Sequence, residues 1–345
     1  MQNEIIQVTR QNNTPSTIVI GDVLNNFQEY LPKCRIVIIT DTNVHRHYQK
    51  LIDAYDHILI GLGETNKTLA TVDQIYRQLI ELNVDRECFI LGFGGGIVTD
   101  IAGFVASTYM RGLRFGFIAS TLLAQVDASV GGKNGVNVEG YKNMVGVFNQ
   151  PDFVLCPTSL LKTLPEREFR AGLAEVIKAG IIEDSSLFEL IEQHSLQELR
   201  TDETLLTQLI TRSIRVKARI VEADEREAGE RRKLNLGHTV AHAIEKSTQE
   251  FLHGEAVAIG LVSIAEIARQ LGKLDPQSAT RIRNVIEQMG LPVSTKVERR
   301  RLAKAIHQDK KSAGDEIYIV LPRGIGDVEV QKMAFDEFSK LLTEG

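Results

Sequence analysis

The chain has 345 residues, 43% hydrophobic and 25% charged, with a formal net charge of −5 at pH 7. That is the composition of a soluble globular protein of one large or two ordinary domains, and its acidic balance argues against a general nucleic-acid or membrane binder. Cys34, Cys88 and Cys156 are widely spaced with no CxxC, which points to reduced thiols and a cytoplasmic location; neither a signal segment nor an apolar run of about 18 residues is expected.

In chain order, the first half alternates two patterns. Short β-rich runs at 17–20, 35–40, 57–60, 88–92 and 115–119 read as strands, with a helical pattern at 68–82 among them. Such alternation predicts an α/β domain with a Rossmann-like parallel sheet, whose ligands bind beyond the carboxyl ends of the strands. The second run closes on Asp41, Thr42 and Asn43. An acidic residue there either accepts from a ribose hydroxyl or caps the next helix. The fourth run leads through Gly92, Gly94, Gly95 and Gly96 into a helical pattern. Glycines let the backbone approach a pyrophosphate at a helix N-terminus. Ile97 breaks the GxGxxG spacing, however, and the strand is a late one; a tight turn is the alternative. A weaker strand-end turn follows the third run at Gly61, Gly63 and Glu64.

The next stretch sets Ser120, Thr121, Asp127, Ser129, Lys133, Asn137, Lys142 and Asn143 among glycines, and reads as a compact functional loop region. Lys133 and Lys142 suit a phosphate or carboxylate, or are simply solvated. From about Cys156 the pattern turns helical, at 166–181, 186–193, 203–226, 238–248, 253–271, 275–289 and 297–307. A strand at 317–321 and an amphipathic helix at 333–342 end the chain. Glu175 and Lys178 are three apart, which by itself describes an ordinary ion pair. Residues 230–233 read by default as a solvated face. The halves divide at 1–155 and 156–345, the second mainly helical and classed as all-α, with a site expected in the cleft between them.

Three of the eight histidines fall between Asn235 and Ile259. His238 and His242 share one helical face about a turn apart, and His253 opens a second apolar run. Two helices joined by a turn would bring the third imidazole back to the first two. Neutral imidazole is the commonest protein ligand for zinc, and Glu175 is the candidate for a further ligand. The plainer reading of an i,i+4 histidine pair is surface decoration, and no HExxH is present.

Six motifs then stand in order: GGGIVTDIAGFVASTYMRG, STLLAQVDASVGGKNGVN, YKNMVGVFNQP, FRAGLAEVIK, LNLGHTVAHAIE and LHGEAVAIG. Together they resemble the 3-dehydroquinate synthases, from about Asp41 to Leu321. The resemblance implies an enzyme of the shikimate pathway that converts 3-deoxy-D-arabino-heptulosonate 7-phosphate to 3-dehydroquinate and phosphate. Transient oxidation by NAD, β-elimination, reduction and intramolecular aldol closure are the implied steps. The implied cofactors are NAD and a divalent metal, zinc or cobalt, and the implied assembly is a homodimer acting on a small sugar phosphate.

By motif match the metal ligands would be Glu175, His238 and His253, with His242 turned to substrate; this replaces the spacing-based pairing of His238 with His242. Lys133, Asn143 and one of Lys310 and Lys311 would hold the phosphate, with Arg111 reaching it across a dimer. Lys178, Lys217, Arg231, Asn235 and His242 would surround the remaining groups, and Asp127 matches a catalytic acidic position. The NAD positions would be Asp41, Asn43, Glu64, Lys67, Gly95, Gly96, Asp100, Ser120, Thr121, Lys133, Lys142, Leu160 and Thr163. Thr99 and Asn134 depart from the family pattern, where Gly and Thr are common, which bears on the pyrophosphate turn and on the setting of Lys133. The alternative is another sugar-phosphate cyclase, such as an aminodehydroquinate or 2-deoxy-scyllo-inosose synthase. A non-catalytic dinucleotide-binding subunit would be expected to have lost Glu175, His238 and His253.

Overall fold

The computed structural model describes residues 3–9, 15–310 and 316–344. The chain divides into two units, Met1–Pro165 and Glu166–Gly345. In the first unit a seven-stranded sheet is built from β1 (Glu4–Val8), β2 (Ser16–Gly21), β3 (Ile36–Asp41), β4 (Asp56–Ile60), β5 (Phe89–Gly94), β6 (Arg114–Ala119) and β9 (Phe153–Pro157). Their order is β1-β2-β9-β6-β5-β3-β4. Every neighbouring pair is parallel except β1 with β2. Val37, Ile39, Ile90 and Leu91 are fully buried, as the central strands of a sheet covered on both faces must be.

Three helices make the crossovers: α1 (Thr42–Ile52), α2 (Leu69–Glu81) and α3 (Gly96–Thr108). Thr68 caps α2, its hydroxyl accepting from the Thr71 amide. The five strand runs read from sequence are all strands, with ends within two residues. β1 and β9 were not foreseen. The polar stretch after Ser120, read as loop, is more ordered than its composition suggests. It holds a π-helical turn at Ala124–Ala128 and an antiparallel hairpin of β7 (Lys133–Val138) and β8 (Tyr141–Phe148). Glycines and asparagines hide the strand pattern there. The hairpin lies against α3. Residues 156–165, placed with the second half on sequence, group with the first unit, because β9 pairs with β2 and β6.

The second unit is mainly helical: α4 (Glu166–Ile182), α5 (Ser185–Glu192), α6 (Leu196–Thr201), α7 (Glu203–Ala223), α8 (His238–Ser247), α9 (His253–Gln270), α10 (Pro276–Gln288), α11 (Arg299–Lys310) and α12 (Phe335–Glu344). It also carries one antiparallel hairpin, β10 (Glu316–Gly324) with β11 (Asp327–Ala334). Its first strand falls on the 317–321 run; its second takes in Met333, which the sequence had offered to the last helix. α7 stops at Ala223 rather than at 226. There the Asp224 carboxylate gathers the amides of Ala228, Gly229 and Arg231, a local arrangement that competes with the helix.

Close backbone approach sets the packing of α4, α8 and α9. A Cβ at Gly254 would overlap the Ala171 carbonyl of α4, and one at Gly260 would overlap the Gly237 carbonyl that opens α8. Gly237 itself has φ 78°, a conformation that glycine adopts without strain. Gly254→Ala is therefore expected to destabilise the protein by about 1–3 kcal/mol, since overpacking forces backbone to move. Urea unfolding of the variant checks this, and a midpoint equal to the wild type would contradict the packing described.

Candidate functional site

The first unit reverses its strand order between β3 and β5: β4 lies on one side of β3, while β5, β6 and β9 run away on the other. The carboxyl ends at such a switch point frame a crevice for a dinucleotide. Asp41 ends β3, and Gly94, Gly95 and Gly96 end β5 and open α3. Asp41 does cap α1, but both amide bonds, from Asn43 at 2.8 Å and Val44 at 2.9 Å, fall on Oδ1. Oδ2 takes part in neither. The glycine turn is also tightly enclosed. A Cβ at Gly95 would stand 3.0 Å from Thr121 Cγ2, and one at Gly96 3.0 Å from Ala128 Cβ. The late position of this strand in the chain does not matter, because its place in the sheet is central.

Both departures from the family pattern have local reasons. Thr99 is buried in the first turn of α3, its hydroxyl donating to the Gly96 carbonyl at 3.0 Å. Asn134 donates to the carbonyls of Gly132 and Asn149 and packs where Gly103 leaves room. It fixes the start of the hairpin and leaves Lys133 exposed beside it.

Lys67, which is 5% exposed, joins several predicted residues. Its ammonium meets Asp100 and, at 2.5 Å, Asn143 Oδ1. Asn137, given no role from sequence, ties this group to the rest. It donates to Glu64 Oε1 at 2.8 Å and accepts from the Asn143 amide at 2.9 Å. Ser120 and Thr121 follow β6, the Ser120 amide bonding to the Gly94 carbonyl at 2.9 Å. Leu160 and Thr163 lie in a 3-10 turn after β9, and Thr163 Oγ1 is 3.0 Å from the Tyr48 hydroxyl. Asp127 sits in the π-helical turn, in which the buried Gln125 donates its amide to the ends of β6 and β9. Lys142 is exposed on β8. Arg111 and its neighbour Met110 have φ of 71° and 49°. Two consecutive non-glycine residues in the left-handed region store strain that clusters at functional sites.

In the second unit, Glu175 of α4, His238 at the start of α8 and His253 at the start of α9 converge, their ligating atoms all within 4.8 Å of one another. His238 Nε2 is 3.7 Å and His253 Nε2 3.6 Å from Glu175 Oε1. Those are too long for hydrogen bonds. They approach the edge of a zinc tetrahedron, about 3.4 Å for bonds near 2.1 Å. Each ring is turned by its other nitrogen, His238 Nδ1 facing the Leu236 carbonyl at 3.1 Å and His253 Nδ1 facing Glu245 Oε1 at 3.1 Å. That is the arrangement by which ligating histidines are oriented. Both Glu175 oxygens are buried without an aligned hydrogen bond, although Lys178 Nζ stands 2.5 Å from Oε2. A buried carboxylate so exposed to its neighbours calls for a cation, and the N2O donor set fits zinc.

The electrostatics agree. Burial opposes ionisation of Glu175, but the Lys178 ammonium and the two histidines outweigh it and hold its carboxyl well below the usual range. Burial and the same ammonium keep His238 neutral. Burial also resists a charge on His253, yet the Glu175 and Glu245 carboxylates beside it prevail and raise it to about 9. One proton on His253 thus stands where the metal's charge would be.

Lys178 Nζ donates to the Leu234 carbonyl at 2.9 Å. Lys217 is buried on α7, and Arg231 is buried in the 3-10 turn after Gly229 and donates to the Glu225 carbonyl. His242 stands edge-on to His238, ring centroids 5.5 Å apart. It lines a cavity of about 420 Å³ with Asn235, Glu227, His238, Lys246 and Tyr318. Asn235 donates to Glu227, itself held at φ 64°. Lys310 ends α11, its side chain outside the described residues, as is the whole of Lys311. Glu227 and Glu245 were not singled out from sequence. Glu245 lies at i+7 from His238, on the same face, a spacing that would have found it.

Two family models cover most of the chain: 3-dehydroquinate synthase N-terminal at residues 57–171 and 3-dehydroquinate synthase C-terminal at residues 172–312. A 3-dehydroquinate synthase of Leptospira interrogans is 44% identical over 299 residues, covering 84% of this chain and 83% of its own. Among solved structures, 2-epi-5-epi-valiolone synthase from Streptomyces hygroscopicus subsp. jinggangensis 5008, with NAD+ and Zn2+ bound, matches with a TM-score of 0.88 at 27% identity, over 98% of both chains. A 2-deoxy-scyllo-inosose synthase matches with a TM-score of 0.87 at 23% identity, over 99% of this chain and 100% of the other, and shows the fold alone.

Glu245→Ala is expected to weaken zinc binding about 10- to 100-fold, with Glu245→Gln retaining most of the affinity because its carbonyl still accepts from His253. Competition with a chelator measures both; equal affinity in the alanine variant would remove Glu245 from this role. The raised His253 has a second consequence. In metal-free protein its stabilisation is complete below about pH 6.5 and is lost as pH rises through about 9. Zinc must displace that proton, so zinc affinity should rise about tenfold per unit up to about pH 9 and then level off. Titration calorimetry in buffers of different ionisation enthalpy counts the released proton, and none released at pH 7 would contradict the assignment.

Proposed function

The chain belongs to the 3-dehydroquinate synthase family, and we propose that it converts 3-deoxy-D-arabino-heptulosonate 7-phosphate to 3-dehydroquinate and phosphate as a step of the shikimate pathway, in the aromatic amino-acid and chorismate branch of metabolism. The observation that carries this reading is the convergence of Glu175, His238 and His253 on one point, within a chain whose two units both match the family. NAD and a divalent metal are the proposed cofactors, with zinc favoured by two imidazoles and a carboxylate. When bound, the metal lends Lewis acidity to a substrate hydroxyl and NAD accepts and returns a hydride.

The substrate is oxidised transiently, loses phosphate by β-elimination, is reduced again and closes by an aldol step, with no net redox change. The chain's own residues bind and orient it. Glu175, His238 and His253 make a three-ligand set that leaves coordination positions for substrate oxygens. Lys178, anchored on Leu234, holds a positive charge beside that set and stabilises anionic oxygen. Lys217, Arg231 and Asn235 are the proposed partners of the carboxylate and hydroxyls, with Arg231 kept in place by Asp224 and Glu225. His242 faces the cavity for a hydrogen bond to substrate. Lys133, Asn143, Arg111 and one of Lys310 and Lys311 are proposed for the phosphate, and Asp127 for the catalytic acidic role. Asp41, Asn43, Glu64, Lys67, Gly95, Gly96, Asp100, Ser120, Thr121, Lys142, Leu160 and Thr163, with Lys133, are proposed to hold NAD.

We propose a homodimer as well, supported by the apolar exposure of β8, where Tyr141, Met144 and Phe148 are each at least half exposed. A cytoplasmic location is proposed from the free thiols of Cys34, Cys88 and Cys156. Among the described residues no helix is long and apolar enough to cross a membrane.

Purified protein with the heptulosonate phosphate, NAD and zinc should release one phosphate per dehydroquinate formed, stop on chelation and recover with metal. Glucose 6-phosphate should give no phosphate. No turnover of the heptulosonate phosphate, with metal and NAD both shown bound, would contradict the reading, and turnover of glucose 6-phosphate in its place would favour the inosose chemistry. Lys133→Ala should raise KM about 10- to 100-fold through loss of a charged hydrogen bond; an unchanged KM would remove Lys133 from phosphate binding.

A further inference from the structure

A second cluster of metal-ligating groups lies in the first unit, made by His45, Asp53 and His57. It shares no residue with the dinucleotide crevice or with the Glu175 centre. His45 Nε2 is 2.8 Å from Asp53 Oδ1, and His57 Nε2 is 3.7 Å from the same oxygen. The two imidazoles stack with centroids 5.1 Å apart and an interplanar angle of 25°. The three donors fall within 4.8 Å of one another, as the Glu175 set does.

The backbone brings these groups together in an uncommon way. Eight residues of straight α-helix rise about 12 Å, which would leave His45 and Asp53 far apart. α1 is interrupted at Tyr48, whose φ of −125° and ψ of 26° are not helical. The bend lets the first turn of α1 meet its C-cap residue, Asp53. His57 comes from outside the helix, on the edge strand β4, where it sits opposite Ile38 of β3. Its Nδ1 faces the Tyr55 carbonyl at 3.2 Å. A proton on Nδ1 donates there and leaves the Nε2 lone pair facing Asp53, which is how a ligating histidine is prepared.

A plain hydrogen bond accounts for His45 and Asp53. It does not account for His57, whose 3.7 Å separation from Asp53 is too long for a hydrogen bond yet near the edge of a zinc tetrahedron, about 3.4 Å. We propose that His45, Asp53 and His57 bind a divalent transition cation of the zinc class, with water completing its coordination. Two imidazoles and one carboxylate suit zinc, cobalt, nickel or copper(II) and not magnesium or calcium. On binding, the proton of His45 Nε2 moves to Nδ1 and the ring stays neutral; nothing is oxidised or reduced. The ion ties the end of α1 to the edge strand β4 and so clips the β3-α1-β4 crossover.

The test is a count of zinc sites. Metal-free full-length protein is titrated with zinc alone against a chromophoric chelator. Wild type should bind two equivalents per chain. His45→Ala and His57→Ala should each weaken one of the two by about 100-fold, a ligand costing at least as much as its supporting contacts, and should leave turnover unchanged. His253→Ala should lose the other site and keep this one. Asp53→Asn keeps the volume and removes the charge, so it should weaken the same site even if a histidine variant is locally disturbed. A single equivalent in wild type, or a second equivalent that persists undiminished in Asp53→Asn and in either histidine variant, would overturn the proposal.

Discussion

The Glu175 carboxylate is the constraint on which the second unit depends. It is a buried charge on α4, almost closed to water, and a buried charge must be paired or must coordinate a metal. Lys178 gives it one ammonium; two imidazoles from α8 and α9 give it the rest of a binding site. Those imidazoles arrive only because α9 touches α4 through Gly254 and α8 through Gly260 and Gly237. Arg167, on α4 itself, reinforces the arrangement. Its guanidinium forks onto Glu255 with both bonds at 2.7 Å and reaches the Glu250 carbonyl at 2.8 Å. Glu255 in turn accepts from the Leu252 amide, so the helix end that carries His253 is braced from the helix that carries Glu175.

The first unit follows a different logic. Its predicted cofactor residues are scattered along the chain and are gathered by sheet order. The crevice exists because β3 and β5 are neighbours whose connections leave in opposite directions. Around it the polar side chains hold one another: Lys67 with Asp100 and Asn143, and Asn137 with Glu64. Such a network keeps its donors and acceptors fixed before a ligand arrives, which reduces the ordering that binding must otherwise impose.

Much of this was legible in the sequence, and for identifiable reasons. The apolar strands and periodic helices announced themselves, since burial on both faces or on one stripe leaves a direct mark. The metal set was not legible from spacing alone. His238 and His242 share a helical face, yet the proposed set takes His253 from another helix, with Glu175; the i,i+4 rule sees only contacts within one helix. Motif order supplied what periodicity lacked. The hairpin of β7 and β8 stayed hidden because glycine and asparagine interrupt its alternation, and its β8 strand is exposed almost throughout. Asn137 stood within the polar stretch after Ser120, but its partner Glu64 is distant in sequence; Glu227 sits on an irregular backbone that no local pattern marks. The His45, Asp53 and His57 cluster depends on a break at Tyr48 inside α1, which no sequence pattern announces.

Glu175, His238 and His253 are proposed to hold one metal between them. A crystal structure of the zinc-loaded protein, with anomalous differences recorded across the zinc edge, tests it most directly. A peak is expected about 2.0–2.2 Å from a Glu175 oxygen and from Nε2 of both His238 and His253, with His242 outside that distance. A peak bound by His238 and His242 together, or no peak at Glu175 in protein that retains its zinc, would contradict it.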